Sequence, residues 1–233
     1  MNRRVRAVAG LVAAGVAMVG VPLRAQVVLT FEGLKNQEAV LNYYNGGAGS
    51  LGSTGGGNYG VTFSSNALAI IRGNAGGSGN FGGEPSPSTV LYFLSGNAAT
   101  LNSSSGFTTG FSFFYSAINN PGTIRVFDGL NATGNVLATL NLAVTPSTPG
   151  QGACANNPTG AFCPFVPIGV SFGGTARSID FGGTVNQIGF DNITFGSAVP
   201  MGTVPEPGTI ALVAVGLTGL AGVVRARRRS AAA

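Results

Sequence analysis

The sequence predicts an all-β domain, arranged as a sandwich or barrel, between two apolar terminal segments. Three observations lead to this prediction: short strand-like runs, clusters of turn residues between them, and no credible amphipathic helix between residues 26 and 196. The chain contains 39 glycines and only 8% charged residues, a composition that disfavours solvent-exposed helices. Short strands at regular intervals are typical of sandwiches and barrels.

Residues 1–25 have the three-part order of a secretory signal: a basic start, an apolar run from Ala7 to Val21 and a polar close. Ala25 supplies the small residue that precedes a cleavage site, so we expect signal peptidase to cut between Ala25 and Gln26 after delivery by the secretion machinery. The alternative is an uncleaved signal anchor, although the apolar run is short for a full membrane span.

Residues 26–197 form the predicted domain, with nine strand-like segments. In chain order they are 27–31, 60–64, 67–72, 89–94, 107–115, 123–128, 135–143, 177–181 and 185–195. Phe111, Phe113 and Tyr115 alternate with smaller residues, so their rings should face one core.

Glycine-rich segments 46–60 and 73–83 are predicted to be surface loops, because neither has the Gly-Lys-Ser/Thr ending of a phosphate-binding loop. The sequence Phe-Gly-Gly-Thr occurs at 172–175 and again at 181–184, which we interpret as two tight turns.

In the last strand the apolar positions change phase, from Ile188 and Phe190 to Ile193 and Phe195. Strict alternation cannot survive this change, so one extra residue must be absorbed. The sequence therefore predicts a β-bulge at residues 191–192.

The C-terminal part begins with a linker, 198–208, that contains Pro205-Glu206-Pro207. The two prolines favour an extended, accessible peptide. Residues 209–224 are uncharged and are predicted to form a short transmembrane helix. The basic tail 225–233 should stay on the cytoplasmic side and leave the domain outside.

The triplet Pro205-Glu206-Pro207, the apolar helix and the terminal arginine cluster together resemble the PEP-CTERM sorting signal of Gram-negative bacteria. The resemblance implies recognition by an exosortase, transient anchoring in the inner membrane, and a final place in the cell envelope, extracellular matrix or biofilm. Such proteins are typically encoded in bacteria that make exopolysaccharide.

The segments Phe31-Glu32-Gly33-Leu34 and Phe190-Asp191-Asn192-Ile193 resemble the terminal strands of jelly-roll domains in PEP-CTERM proteins. They are also similar to carbohydrate-binding jelly rolls, in which the first and last strands pair and often hold a structural calcium ion. The resemblance implies a jelly-roll-like β-sandwich with Glu32 and Asp191 as calcium ligands. The sequence indicates no other cofactor. The alternative is that both are solvated carboxylates at strand edges.

The net charge of +5 does not indicate a nucleic-acid partner, because the basic residues concentrate at the two ends. The domain itself is mildly acidic, with Lys35, Arg72, Arg125 and Arg177 against Glu32, Glu38, Glu84, Asp128, Asp180 and Asp191.

The chain has no histidine, which excludes Ser-His, Cys-His and His-zinc chemistry. Its two cysteines, Cys154 and Cys163, are expected to form a disulfide in an oxidising, exported compartment.

These observations favour a non-catalytic structural role at the cell surface. The alternative is a carbohydrate-binding module for exopolysaccharide, with Tyr43, Tyr44 and Tyr59 as sugar-stacking residues because the chain has no tryptophan. An enzyme is the third class. A glycosidase needs two facing carboxylates, and no spacing in this sequence singles out such a pair, so we expect no catalytic activity.

Overall fold

The computed structural model describes residues 26–155 and 160–202. Within them the all-β prediction is confirmed, because the chain forms antiparallel strands, two short 3₁₀ turns and no α-helix. The strands are β1 (Val28–Leu29), β2 (Val61–Phe63), β3 (Ala67–Ile71), β4 (Thr89–Phe93), β5 (Ala98–Ala117), β6 (Gly122–Phe127), β7 (Val136–Leu142), β8 (Val166–Gly182) and β9 (Ile188–Phe195).

Two long strands organise the sheet. Its order is β3-β4-β9-β5-β8-β6-β7, with β1 also pairing with β9 and β2 with β5. The first part of β5 pairs with β2 and β8, whereas its second part pairs with β8 and β9. Register shifts between Asn102 and Thr109 separate the two parts. Such irregularities increase twist and bend a strand, and here they separate the part of β5 that pairs with β2 from the part that pairs with β9.

The core is dominated by phenylalanine. Phe111, Phe113, Phe181 and Phe190 are completely buried, and the ring centroids of Phe181 and Phe190 are 5.0 Å apart. Tyr115 belongs to the same apolar cluster. The prediction that Phe111, Phe113 and Tyr115 face one core is therefore confirmed.

The bulge predicted in the last strand is also confirmed. The pairing of β9 with β5 moves from Thr194 opposite Ser112 to Asp191 opposite Phe114, so β9 carries one extra residue. Asn192 adopts a positive φ of 47°, a conformation that asparagine tolerates better than most residues. Every residue of β9 is buried, and the strand lies inside the sheet, with β4 and β1 on one side and β5 on the other.

Three predictions about strands need correction. β5 begins at Ala98 and not at residue 107, and β8 begins at Val166 and not at residue 177. The first Phe-Gly-Gly-Thr, at 172–175, lies inside β8 and is not a turn. Gly174 there has a φ of 85° and faces the irregular stretch of β5. Glycine within a strand often marks such an irregularity, and the local sequence does not distinguish this from a turn.

None of the residues in the ranges 26–155 and 160–202 forms a helix long and apolar enough to cross a membrane.

The predicted signal peptide 1–25, transmembrane helix 209–224, basic tail 225–233 and Pro205-Glu206-Pro207 triplet lie outside the described residues.

Candidate functional site: an oxygen-rich centre and an aromatic cleft

Glu32 and Asp191, the two predicted calcium ligands, meet at the side chain of Ser86. The Ser86 hydroxyl lies 2.8 and 2.7 Å from the two carboxylate oxygens of Asp191 and 3.3 Å from Oε1 of Glu32. The main-chain oxygens of Thr30 and Thr89 lie 3.2 and 3.4 Å from the same hydroxyl. We call this group the Ser86 centre.

Each carboxylate of the Ser86 centre is held by main-chain N–H groups. Glu32 Oε1 accepts hydrogen bonds from the N–H of Ser88 at 2.9 Å and of Thr89 at 2.7 Å. Asp191 accepts from the N–H of Ser86 at 2.9 Å and of Asn192 at 2.7 Å. Because Asn192 is the bulge residue, the local break in the ladder turns its N–H toward the Asp191 carboxylate.

Burial is the dominant electrostatic effect at Asp191, whose side chain is completely inaccessible. Burial raises the pKa of Asp191 to about 8, against the lowering effect of the hydrogen bonds from Ser86 and Asn192, and the nearby Glu32 charge adds to the rise. A bound cation would favour the ionised carboxylate.

The donor set of the Ser86 centre fits a calcium ion. Calcium takes six to eight oxygen ligands, including carboxylates, carbonyls and hydroxyls. Here five acceptor oxygens surround a single hydroxyl, which has only one proton to donate. Main-chain N–H groups already orient the carboxylates, and a cation beside the hydroxyl would compensate the charge of the two acidic groups. The described residues contain no cluster of three or more His, Cys, Asp or Glu side chains suited to a metal, so two carboxylates are the most acidic set available.

The three predicted sugar-stacking tyrosines have different environments. Tyr43 and Tyr44 are buried, and only Tyr59 is exposed, at 44%. The prediction is corrected for Tyr43 and Tyr44, because a ring inside the core offers no free face to a sugar. Their hydroxyls instead hold the segment that carries Glu32: Tyr43 donates to the Glu32 carbonyl at 2.7 Å, and Tyr44 accepts from the Phe31 N–H at 2.6 Å.

The predicted disulfide between Cys154 and Cys163 is present. Residues 161–162, just before Cys163, lie against residues 80–82, where Phe162 and Phe81 form a parallel bridge. Between Phe162 and the outer face of β3, β4 and β9 is a cavity of about 210 Å³, which we call the aromatic cleft. Phe81, Phe162 and Phe165 line it together with Tyr92.

Sequence reasoning missed Ser86 and Tyr92. Ser86 lies in the turn-rich run Glu84-Pro85-Ser86-Pro87-Ser88, in which nothing distinguishes one serine from the next. Tyr92 sits on β4 in the phase opposite to Leu91 and Phe93, which belong to the main core. The uninterrupted apolar run at 90–93 offers no polar alternation in the sequence that would have marked Tyr92.

Residues 203–229 match the PEP-CTERM protein-sorting motif. This finding confirms the resemblance noted at the C-terminus. The motif implies an exported protein that an exosortase processes and that is anchored transiently in a membrane. No curated protein matches the chain.

Several solved structures are similar to this chain. The K2 cleaved adhesin domain of Lys-gingipain has 15% identity and a TM-score of 0.43, with 74% of this chain and 98% of that one covered. A family 6 carbohydrate-binding module has 18% identity and a TM-score of 0.34, with 57% and 85% covered. A family 43 arabinoxylan arabinofuranohydrolase from Bacillus subtilis has 17% identity and a TM-score of 0.35, with 57% and 25% covered. At these scores the similarities indicate nothing about function.

Proposed function

We propose that this chain, which carries a PEP-CTERM sorting motif, is a non-catalytic structural protein of the cell envelope or extracellular matrix of a Gram-negative-type bacterium. The observation that carries the proposal is the motif match at residues 203–229. A composition poor in charge and rich in glycine, with no histidine, is consistent with this role.

The proposed route has two processing steps. The secretion machinery exports the chain, and signal peptidase cuts between Ala25 and Gln26. The helix 209–224 then holds the protein in the inner membrane, with the basic tail 225–233 in the cytoplasm. An exosortase recognises Pro205-Glu206-Pro207, cuts near it and transfers or releases the domain.

The exported part is proposed to be a jelly-roll-like β-sandwich stabilised by one calcium ion. The pairing of β1 with β9 supports the jelly-roll assignment. Glu32, Asp191 and Ser86, with the carbonyls of Thr30 and Thr89, would hold the ion. When bound, calcium supplies charge compensation for two carboxylates that the fold brings together, and it links β1, the segment before β4 and β9.

The same geometry argues against a glycosidase. Glycoside hydrolysis needs two carboxylates that flank a bound sugar. Glu32 and Asp191 instead both contact Ser86, and Asp191 is completely buried. A substrate has no access between them, which favours a structural role for the pair.

The second candidate function is binding of exopolysaccharide. One observation favours it: the aromatic cleft combines phenylalanine rings with amide and hydroxyl groups, a mixture suited to a small polar ligand with an apolar face. Tyr59, with its exposed ring, is the remaining candidate among the three tyrosines.

Cell fractionation and mass spectrometry of the protein from an exosortase-containing host test the leading proposal. We expect the wild-type protein outside the inner membrane, without its C-terminal helix. Changing Pro205, Glu206 and Pro207 to alanine should leave full-length mature chain in the inner membrane. Pro200→Ala, a proline change outside the matched residues, is the control and should be processed normally.

Two outcomes would contradict the proposal. One is identical processing of the triple variant and the wild type. The other is recovery of the untrimmed wild-type chain from the cytosol.

A further inference from the structure

The aromatic cleft lies on the side of β3, β4 and β9 that faces away from the main core. On β4, Leu91 and Phe93 belong to the main core, whereas Val90 and Tyr92 line the cleft. This division follows from the alternation of side chains along a strand. Val90 also packs with Phe81 and Phe165 in a second, separate apolar cluster.

Phe162, next to the disulfide, forms one wall of the cleft. The Phe162 N–H donates to the Asn80 carbonyl at 3.0 Å, and the Gly82 N–H donates to the Phe162 carbonyl at 3.1 Å. The adjacent Cys163 is tied to Cys154. The disulfide and this short ladder therefore hold Phe162 beside the cleft.

Tyr92 gives the second, independent sign of a ligand. Only 5% of this residue is exposed, and its hydroxyl has no hydrogen-bond partner. Buried polar groups in native proteins nearly always have a partner, and each exception needs an explanation. A ligand that brings a hydroxyl into the cleft would supply the missing partner.

The lining determines the chemistry of the ligand. Every residue that lines the cleft is uncharged, so the cleft offers no charged side chain to pair with an anion or a cation. Phenylalanine rings provide apolar surface, while Ser78, Asn80 and Asn186 provide hydroxyl and amide groups at exposed positions. A sugar ring has the matching character, with an apolar C–H face and a rim of hydroxyls.

The size of the cleft limits how much ligand it holds. Its volume of about 210 Å³ is below the roughly 300–1,000 Å³ of sites for drug-sized molecules. It therefore suits one ring and not a long chain segment. An acyl chain would leave the amide groups and the Tyr92 hydroxyl without partners, so it fits less well.

We infer that the aromatic cleft binds one ring of a neutral saccharide, with Tyr92 hydrogen-bonding a sugar hydroxyl and Phe162 packing against the sugar face. This inference rests on the second candidate function, exopolysaccharide binding, and gives it a location that excludes Tyr43 and Tyr44. It is independent of the sorting route, because fractionation of the triple variant tests sorting alone.

The test uses the exported form purified from an exosortase-containing host. Arrays of neutral glucan, galactan and mannan oligosaccharides, alginate oligosaccharides and a fatty-acid probe identify the binding class, and calorimetry then measures affinity for the best neutral oligosaccharide. We expect binding to neutral sugars and not to alginate or the fatty acid.

Two cleft variants and one control locate the binding site. Tyr92→Phe should weaken binding at least about tenfold, which corresponds to the loss of one good hydrogen bond, while thermal stability stays equal or rises because an unpartnered buried hydroxyl is removed. Phe162→Ala should weaken binding at least as much. Leu130→Ala removes an exposed apolar side chain outside the cleft and should leave the affinity unchanged.

Three results would overturn the inference. The first is that the folded wild type binds no neutral saccharide. The second is that it binds only alginate or the fatty acid. The third is neutral-sugar binding that Tyr92→Phe and Phe162→Ala leave intact. The melting temperature of Tyr92→Phe is measured alongside, so a loss of binding at unchanged stability cannot come from unfolding.

Discussion

The hydroxyl of Ser86 lies 2.7 Å from a carboxylate oxygen of Asp191, a residue 105 positions later in the chain. Glu32, near the first strand, reaches the same hydroxyl. The first strand, the segment before β4 and the bulge of the last strand thus converge on one point, where two acidic side chains lie within hydrogen-bonding distance of a single hydroxyl. This arrangement makes cation binding the first property to measure.

Calcium should raise the melting temperature of the exported form relative to the same protein in chelator. At a concentration 100 times the dissociation constant, binding stabilises the fold by about 2.7 kcal/mol. For a domain of this size that corresponds to a rise of roughly 5–10 °C. Differential scanning calorimetry with calcium and with chelator measures the shift.

The calcium response should disappear in Glu32→Gln and in Asp191→Asn, because each change removes a charged oxygen ligand. Asp128→Asn removes a carboxylate from the β6–β7 turn, away from the Ser86 centre, and should keep the full response. Equal melting temperatures for the wild type in calcium and in chelator would rule out the ion.

Glu38 should stabilise the fold in a pH-dependent way, because it holds the glycine-rich loop. Its buried carboxylate accepts hydrogen bonds from the N–H groups of Lys35, Leu51 and Ser53 and from the Ser53 hydroxyl. Burial acts to raise the pKa of Glu38, but these hydrogen bonds outweigh it and hold the pKa below its ordinary value of 4.5. In Glu38→Gln an NH₂ group replaces one acceptor oxygen, so some of these donors lose their partner. The loss should lower the free energy of unfolding by roughly 1–3 kcal/mol.

The sign of this pH dependence follows from the lowered pKa of Glu38. The stabilisation that ionised Glu38 gives is complete above its ordinary pKa of 4.5. It is lost as the pH falls through the lowered pKa of the folded state, because Glu38 then takes up a proton in the folded protein as well. Urea unfolding should therefore show a clear stability difference between the wild type and Glu38→Gln at pH 7, and a smaller one at pH 3. A difference of the same size at both values would contradict this explanation.

The disulfide should stabilise the fold by roughly 2–3 kcal/mol, the chain-entropy value for a loop this short. The two cysteines are nine positions apart. Urea unfolding of the wild type and of the double variant Cys154→Ser, Cys163→Ser measures the difference, and added reductant should destabilise only the wild type. Finding two reactive thiols in the denatured, unreduced protein would refute the bond.

The mature protein should begin at Gln26. N-terminal mass spectrometry of the exported form gives the cleavage site directly. Ala25→Arg places a large, charged residue where signal peptidase needs a small one, and it should retain residues 1–25. If the exported wild type still begins at Met1, the N-terminal segment is a signal anchor.

Much of the secondary structure of the domain could be predicted from short stretches of sequence. The all-β class followed from turn residues and strand periodicity, and the bulge followed from the shift between Phe190 and Ile193. The sequence prediction missed the first parts of β5 and β8 for different reasons. In β8, Val166, Ile168, Val170 and Phe172 alternate with smaller residues, so a strand signal was present and was overlooked. In residues 98–105 small and polar residues weaken the pattern, and pairing with neighbouring strands keeps this stretch extended.

The sequence by itself determined the periodic burial of the strands, the position of the β9 bulge and the sorting signal, because each depends on residues close together in the chain. The tertiary structure alone decided that Ser86 lies between Glu32 and Asp191, that Tyr43 and Tyr44 are internal, and that Phe162 forms one wall of a cleft. These depend on strand order and register, which are determined by the combined packing of residues far apart in sequence.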